Sequence, residues 1–207
     1  MSISNAYTDW SATYDTDRNL TRDLDAQVTR QTFIGQHFRT ILETGCGTGK
    51  NTVFYADIAD NVIALDFSEG MLAQARSKIT QPNVTFAVAD LTKSWQIEDQ
   101  SVDLVACNLV LEHIPDLNFV FSEARHVLSV GGQFFVSELH PFRQYQGKRA
   151  TFAHGDQQID IPAYTHHISD YVSAAQQAGL RLLQLNEWWH ENDADKPPRV
   201  VSFIFEK

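Results

Sequence analysis

From Thr40 to Leu139 the chain alternates short apolar runs with segments whose apolar residues recur at helical spacing. TILET (40–44) predicts a strand and KNTVFYADIA (50–59) a helix. NVIALDFS (61–68) predicts a second strand, and Met71, Leu72, Ala75 and Ile79 form a helical stripe after it. NVTFAVAD (83–90) and VDLVACNLV (102–110) read as two more strands, the second apolar enough to be covered on both faces. Leu117, Val120, Phe121, Ala124, Val127 and Leu128 follow helical spacing, and GGQFFVSEL (131–139) predicts a fifth strand. Ahead of this series, a helix is expected from Thr21, with Leu24 and Val28 on one face and Ile34 and Phe38 extending it. The first 20 residues are polar and aromatic, with Tyr7, Trp10 and Tyr14 spaced along them.

Such alternation predicts an α/β, doubly wound parallel sheet with helices on both faces. Ligands of such sheets sit beyond the carboxyl ends of the strands, where the strand order reverses. Residues 139–167 break the rhythm with Pro141, Gly147, Gly155, Pro162 and four of the eight histidines, His140, His154, His166 and His167. They are expected to form an inserted cover with a short strand or two. SDYVSAAQQAGL (169–180) then predicts a helix with Ser169 as N-cap, Tyr171, Val172, Ala175 and Ala178 inward, and Gly179 as terminator. RLLQLNEW (181–188) and RVVSFIFEK (199–207) predict an antiparallel, hairpin-like pair at the end of the sheet.

Composition narrows the partners. The 207 residues suggest one domain, 1–207, with a lid and helix over 1–38 and the cover over 139–167. A net charge of −10 disfavours nucleic acid, and the densest basic stretch, Arg143 to Arg149, holds only three cations. The two cysteines, Cys46 and Cys107, lie in core-like sequence, fit a reducing compartment and suggest no metal pair. MSISNAYTDW lacks a basic and apolar leader, and no apolar run approaches the ~20 residues of a bilayer span. The expected setting is cytoplasmic, as a monomer or homodimer.

The chemistry is concentrated after the first strand, in ETGCGTGK (43–50). A dinucleotide fingerprint would need glycine where Lys50 stands. A phosphate loop aligned on Gly49 and Lys50 would place its first glycine on Thr44 and its hydroxyl residue on Asn51. Other strand ends carry the decision. Asp66, 21 residues after Gly45, closes the second strand where an acid can accept both ribose hydroxyls. Asp90 closes the third beside Leu91, suiting the amino edge and flat face of adenine. Asn108 and Leu109 close the fourth. In that order these groups describe an adenosine site with no required pyrophosphate.

On these residues the chain resembles the class I S-adenosylmethionine-dependent methyltransferases, in the large group that includes the ubiquinone/menaquinone-biosynthesis type. ILETGCGTGK resembles their first motif, ALDFSEGML the ribose motif and VADLTK the adenine motif. VDLVACNLVLEHIPD, LSVGGQFFVSELH and the terminal SDYVSAAQQAGLRLLQLNEWW resemble later segments. The opening YTDWSATYD resembles the Tyr-Asp segment that folds over the cofactor. The match covers roughly residues 5–139 and 168–206. It implies a Rossmann-like seven-stranded sheet with the last strand antiparallel. It also implies S-adenosylmethionine as methyl donor, S-adenosylhomocysteine as product and a small-molecule acceptor.

The resemblance gives Gly45, Cys46 and Gly47 to the methionine part of the donor, with Glu43 on its amino group. It gives Asp66 to the ribose and Asp90, beside Leu91, to adenine, and makes Phe67 and Met71 of the ribose motif further donor-binding residues. Asn108 and Leu109 line the fourth strand end, and Tyr14, with Trp10, covers the site. Acid–base candidates are His140, His166 and His167 in the insert, and His113 after the fourth strand, because histidine titrates near neutral pH. Each also has an ordinary structural role open to it, as solvated loop residue or helix-edge polar group, and EWWHE (187–191) reads as aromatic packing. Two rival readings are a non-catalytic donor-binding module and an NAD-dependent oxidoreductase, the latter opposed by Lys50 and Asp90.

Overall fold

The computed structural model describes the backbone of residues 3–148, 151–154 and 157–207, and side chains over 6–148 and 161–207. A leading helix, α1 (Ile3–Trp10), precedes α2 (Leu20–Phe33). The series then runs β1 (Phe38–Thr44), α3 (Thr52–Asp57), β2 (Ala59–Asp66), α4 (Glu69–Lys78), β3 (Val84–Val88) and β4 (Val102–Asn108). After a 3₁₀ turn at Leu111–His113 come α5 (Leu117–Val127) and β5 (Leu128–Leu139). The insert holds a short helix, α6 (Pro141–Tyr145), and a two-stranded antiparallel hairpin, β6 (Thr151–His154) with β7 (Gln157–Asp160). The chain closes with α7 (Ile168–Ala178), β8 (Arg181–Trp188), a 3₁₀ turn at Glu191–Asp193 and β9 (Val200–Glu206).

The main sheet has seven strands in the order β3-β2-β1-β4-β5-β9-β8. The first five are parallel, and β9 runs antiparallel to both β5 and β8. Leu104, Val105, Ala106 and Cys107 are all fully buried, as a central parallel strand covered on both faces requires. One face packs on α5 and α7, with Phe121, Phe134 and Phe205 in mutual ring contact. The other packs on α2 and α3, through Val28, Phe33 and Tyr55. The strand order reverses between β1 and β4, so their carboxyl ends open the crevice.

Several boundaries differ from the sequence reading. Leu128, expected to close a helix, begins β5, because the strand continues through the glycine pair and meets Val102 across an irregularity. The helix expected over 50–59 is shorter, since Ala59 already pairs with Phe38. Helix α7 starts before Ser169: His167 is its N-cap residue and Asp170 accepts the His167 N–H at 2.8 Å. The final pair is antiparallel as expected, yet the last strand lies inside the sheet and β8 forms the edge. Burial explains it: Val200, Val201, Phe203 and Phe205 of β9 need cover on both faces, whereas Leu182, Leu183 and Leu185 of β8 remain exposed. His154 and Gly155 of the insert fall outside the residues with described side chains.

Arg143 is no surface cation. It is buried, and its guanidinium lies 3.0 Å from Asp193, which also takes both Arg199 Nε and Nη2 at 2.6 Å. Although burial opposes its ionisation, the Arg199 hydrogen bonds and charge hold the Asp193 carboxyl down to about 2. A folded value below the unfolded ~3.9 means that this stabilisation is complete above about pH 4 and disappears as pH falls through the folded value. Asp193→Asn should therefore melt earlier than the parent at neutral pH, with the gap closing towards pH 2 in thermal scans. A gap independent of pH would assign the loss to packing instead.

Candidate active site at the carboxyl ends of the central strands

The glycine turn follows β1 directly. The N–H groups of Gly45 and Cys46 both donate to Leu65 O, at 2.7 and 2.8 Å, folding the turn back over the end of β2. Gly45, Gly47 and Gly49 all have positive φ, at 74°, 55° and 85°. Their reasons differ. A Cβ on Gly45 would lie 2.2 Å from Val110 Cγ2, and one on Gly49 2.3 Å from Ile79 Cδ1, so a side chain there would have to displace a neighbour as well as adopt a strained backbone. A Cβ on Gly47 would meet no atom within 4 Å. Gly47 therefore faces space that the protein leaves open, and its backbone is accessible to a ligand. Lys50, at the place of the missing fingerprint glycine, turns to Asp23 at 2.5 Å.

Asp66 ties two loops together. Its Oδ2 accepts the Gly47 N–H and its Oδ1 the Ser68 N–H, each at 2.8 Å. Ser68 itself caps α4 by accepting from Met71 N at 3.2 Å. Each carboxylate oxygen has a second lone pair, so Asp66 retains acceptor capacity towards the cavity that it lines. Burial raises its pKa, opposed by the backbone N–H groups it accepts. Glu43 is buried at the end of β1, accepts from Thr52 Oγ1 at 2.5 Å, and is pushed by burial to about 8.

Beneath the turn, Asp25 of α2 binds three elements at once. It accepts from Asn51 Nδ2 at 2.9 Å, Asn108 Nδ2 at 2.8 Å and Ser137 Oγ at 2.6 Å. Asn108 also donates to Thr29 Oγ1 and accepts from Tyr55 Oη, so its amide serves chiefly to lock the end of β4.

These groups surround a cavity of ≈ 240 Å³. Its lining combines polar residues, among them Glu43, Asp25, Arg22, Thr48 and Asn51, with the apolar Phe67, Met71, Leu91 and Ile114. Asp90 also lines it, half exposed, its pKa lowered by the hydrogen bond from Thr92 and by Lys93 at 3.0 Å. Of the remaining sequence-predicted residues, Tyr14, Gly45, Cys46, Gly47, Asp66, Asn108, Leu109 and His113 all line the cavity. The three insert histidines are not among its lining residues. His140 caps α6, accepting from Phe142 N at 3.1 Å, and meets Glu187 at 2.9 Å. His166 lies within hydrogen-bond distance of the carbonyls of Leu111 and Ile114, at 3.1 and 2.9 Å, and pins the 3₁₀ turn. His167 heads α7 and contacts Tyr145 Oη. Each serves a helix or turn, while His113 alone of the four borders the cavity.

Tyr7, Arg22, Asp25 and Val110 border the cavity without having been singled out as site residues. A signal existed for two of them. Arg22, Asp25 and Thr29 recur at helical spacing beside Leu24 and Val28, placing a polar stripe on the inward side of α2. Tyr7 is marked only as part of the opening YTDWSATYD segment and Val110 not at all, because the fold is what brings α1 and the turn after β4 to this place.

The profile of the family described as "Methyltransferase domain" matches residues 42–136, from the glycine turn through β5. A methyltransferase of Emericella nidulans with no further assigned function is 29% identical, over 87% of this chain and 76% of its own length. A ubiquinone biosynthesis O-methyltransferase of Hydrogenovibrio crunogenus is 29% identical over 70% of this chain, which spans 63% of that relative. Among solved structures, an S-adenosylmethionine-dependent methyltransferase from Listeria monocytogenes superposes with a TM-score of 0.75 at 20% identity, covering 89% of this chain and 99% of that one, a likeness of fold.

The matched domain, the relatives and the fold together support a class I S-adenosylmethionine-dependent methyltransferase. Its methyl donor is S-adenosylmethionine. The residues of this methyltransferase fit that molecule on their own terms. The polar lining holds acids for an ammonium, and it holds Arg22, whose buried Nε has no hydrogen-bond partner among the described residues, for a carboxylate. The apolar lining suits a flat base, and Asp66 lines the same cavity. Among the described residues no helix is long and apolar enough to cross a membrane.

Proposed function

We propose that this methyltransferase acts on a small-molecule nucleophile beneath a cover formed by α1 and the insert. The observation that carries this reading is the closure of the site from two sides. Ala6 and Trp10 of α1 pack on Ile161 of the insert, and Tyr7 and Tyr14 pack against the same cluster. Thr8 Oγ1 reaches Ser68 at 3.0 Å, and Tyr164 N donates to Glu112 O at 2.6 Å. A second, smaller cavity of ≈ 70 Å³ adjoins the first, sharing Tyr7, Tyr14, Arg22 and Leu109 and reaching Glu112 and Leu139. Space of this size suits a compact acceptor and no folded macromolecule. The named activity of the Hydrogenovibrio relative, O-methylation of a small molecule in quinone biosynthesis, supports the same class. Two unpaired buried cysteines support a cytoplasmic setting.

The bound donor supplies a methyl group on a sulfonium that is already activated. The protein's part is to hold acceptor and donor in line and to exclude water. Gly45 and Gly47 give backbone access, Asp66 and Glu43 hold hydroxyl and amino groups, and Arg22 takes the carboxylate. Isothermal titration should show S-adenosylhomocysteine binding at on the order of micromolar Kd, with no NADH binding. A metabolite screen with labelled methyl donor, read by product mass, should return a methylated small molecule. Binding without transfer to any acceptor would favour the cofactor-binding module, and NADH binding alone would remove the donor assignment.

A further inference from the structure

Tyr7 and His113 meet in the lining of the larger of the two cavities, and Tyr7 also lines the smaller one. The Tyr7 hydroxyl lies 2.8 Å from His113 Nε2, and His113 Nδ1 lies 3.0 Å from the carbonyl of Pro162. A carbonyl can only accept, so Nδ1 carries the hydrogen. Nε2 then presents its lone pair to the Tyr7 O–H. The ring is fixed from two sides, by Tyr7 of α1 and by Pro162 of the insert.

We infer that Tyr7 and His113 form a proton relay for an acceptor bearing a non-ionised hydroxyl, which makes this enzyme an O-methyltransferase of phenol-like or alcohol-like compounds. The inference rests on the methyltransferase reading above. As the acceptor oxygen–carbon bond forms, the carbon–sulfur bond breaks and its electron pair stays on sulfur. The acceptor proton passes to Tyr7 Oη while the phenolic proton of Tyr7 passes to His113 Nε2. Tyr7 ends neutral and His113 ends as an imidazolium.

The surroundings suit that charge movement. Burial, and then the charges of Tyr14, Glu112, Asp66 and Glu138, push the Tyr7 phenol well above its ordinary range, so it is a neutral donor at rest. Glu112 Oε1 lies 3.8 Å from His113 Nε2, with Gln144 donating to the other Glu112 oxygen at 3.2 Å. Glu138 Oε1 accepts the N–H groups of Val110 and Leu111 at 2.9 and 2.8 Å and so fixes the turn that carries His113. Arg22, a cation of the same cavity, is held over the Tyr14 ring, 3.9 Å from its centroid.

The test uses the full chain with labelled donor at saturation and three probes: para-cresol, para-nitrophenol and thiophenol. Wild type should methylate both phenols. Tyr7→Phe and His113→Asn should each lower turnover of para-cresol by on the order of 100-fold, and should lower turnover of the already ionised para-nitrophenolate far less. The pH dependence of para-cresol turnover should flatten in His113→Asn. Nitrogen-15 NMR of the wild type should place the His113 proton on Nδ1, a readout independent of turnover. Equal losses on both phenols, transfer to thiophenol alone, no transfer to either phenol, or a proton on Nε2 would each overturn the relay. Wild type that binds no S-adenosylhomocysteine would instead remove the methyltransferase reading on which the relay rests.

Discussion

Asp66→Ala is expected to weaken binding of S-adenosylhomocysteine by on the order of 100-fold in isothermal titration. Two effects add. The substitution removes an acceptor for the ribose hydroxyls in a site with little water, and hydrogen bonds to a charged group contribute about 1.5–3 kcal/mol each. It also releases the Gly47 and Ser68 N–H groups, each held at 2.8 Å, so the glycine turn loses its tie to the loop after β2. Asp66→Asn separates the effects. An amide oriented to accept from one loop must point its NH₂ at the other, so one tie and one ribose acceptor are lost together. Its affinity should fall between parent and alanine variant. Affinity within about twofold of the parent for Asp66→Ala would show that Asp66 serves the loops alone, since a ribose acceptor cannot be removed so cheaply.

Asp25→Ala should reduce folding stability by about 3–5 kcal/mol, read as a drop of about 2 M in urea midpoint at a slope of ~2 kcal/mol/M. The reason is the geometry of its three donors. Asn51 lies at the head of α3, Asn108 at the end of β4 and Ser137 near the end of β5, and all three point at one carboxylate on α2. Asp25 is 3% exposed, so its removal strands three buried donors rather than returning them to solvent. Asp25→Asn keeps one acceptor oxygen yet turns an NH₂ towards other donors, so it should recover less than half of the loss. A midpoint shift under ~0.5 M would mean that water replaces the carboxylate.

Much of this molecule is legible from periodicity. The buried strands β1, β2, β4 and β5 announce themselves because parallel strands covered on both faces must be apolar throughout. The glycine turn, Asp66 and Asp90 fall at strand ends, so their common location follows once the strands are placed. The leading helix α1 is not legible, because its segment is short, polar and aromatic and is held by tertiary contacts to Ile161, Ser68 and His113 rather than by its own pattern. The histidines show the same limit more sharply. Sequence marks four as chemically able and cannot rank them. Three are consumed by caps and carbonyls, at Phe142 N, at Leu111 O and Ile114 O, and at the start of α7.

By itself, then, the sequence determines the alternating sheet, the place of the donor site and the kind of donor, because each rests on local spacing and on the few residues a strand end can present. Tertiary structure decides the rest. It shows that a side chain at Gly45 or Gly49 would have to displace Val110 or Ile79, while Gly47 faces open space. It sets β9 inside the sheet, and it closes α1 and the insert over His113. These outcomes depend on contacts between residues as far apart as Tyr7 and His113, or Asp25 and Ser137, whose meeting is fixed by the packing of whole elements and leaves no periodic trace in the chain.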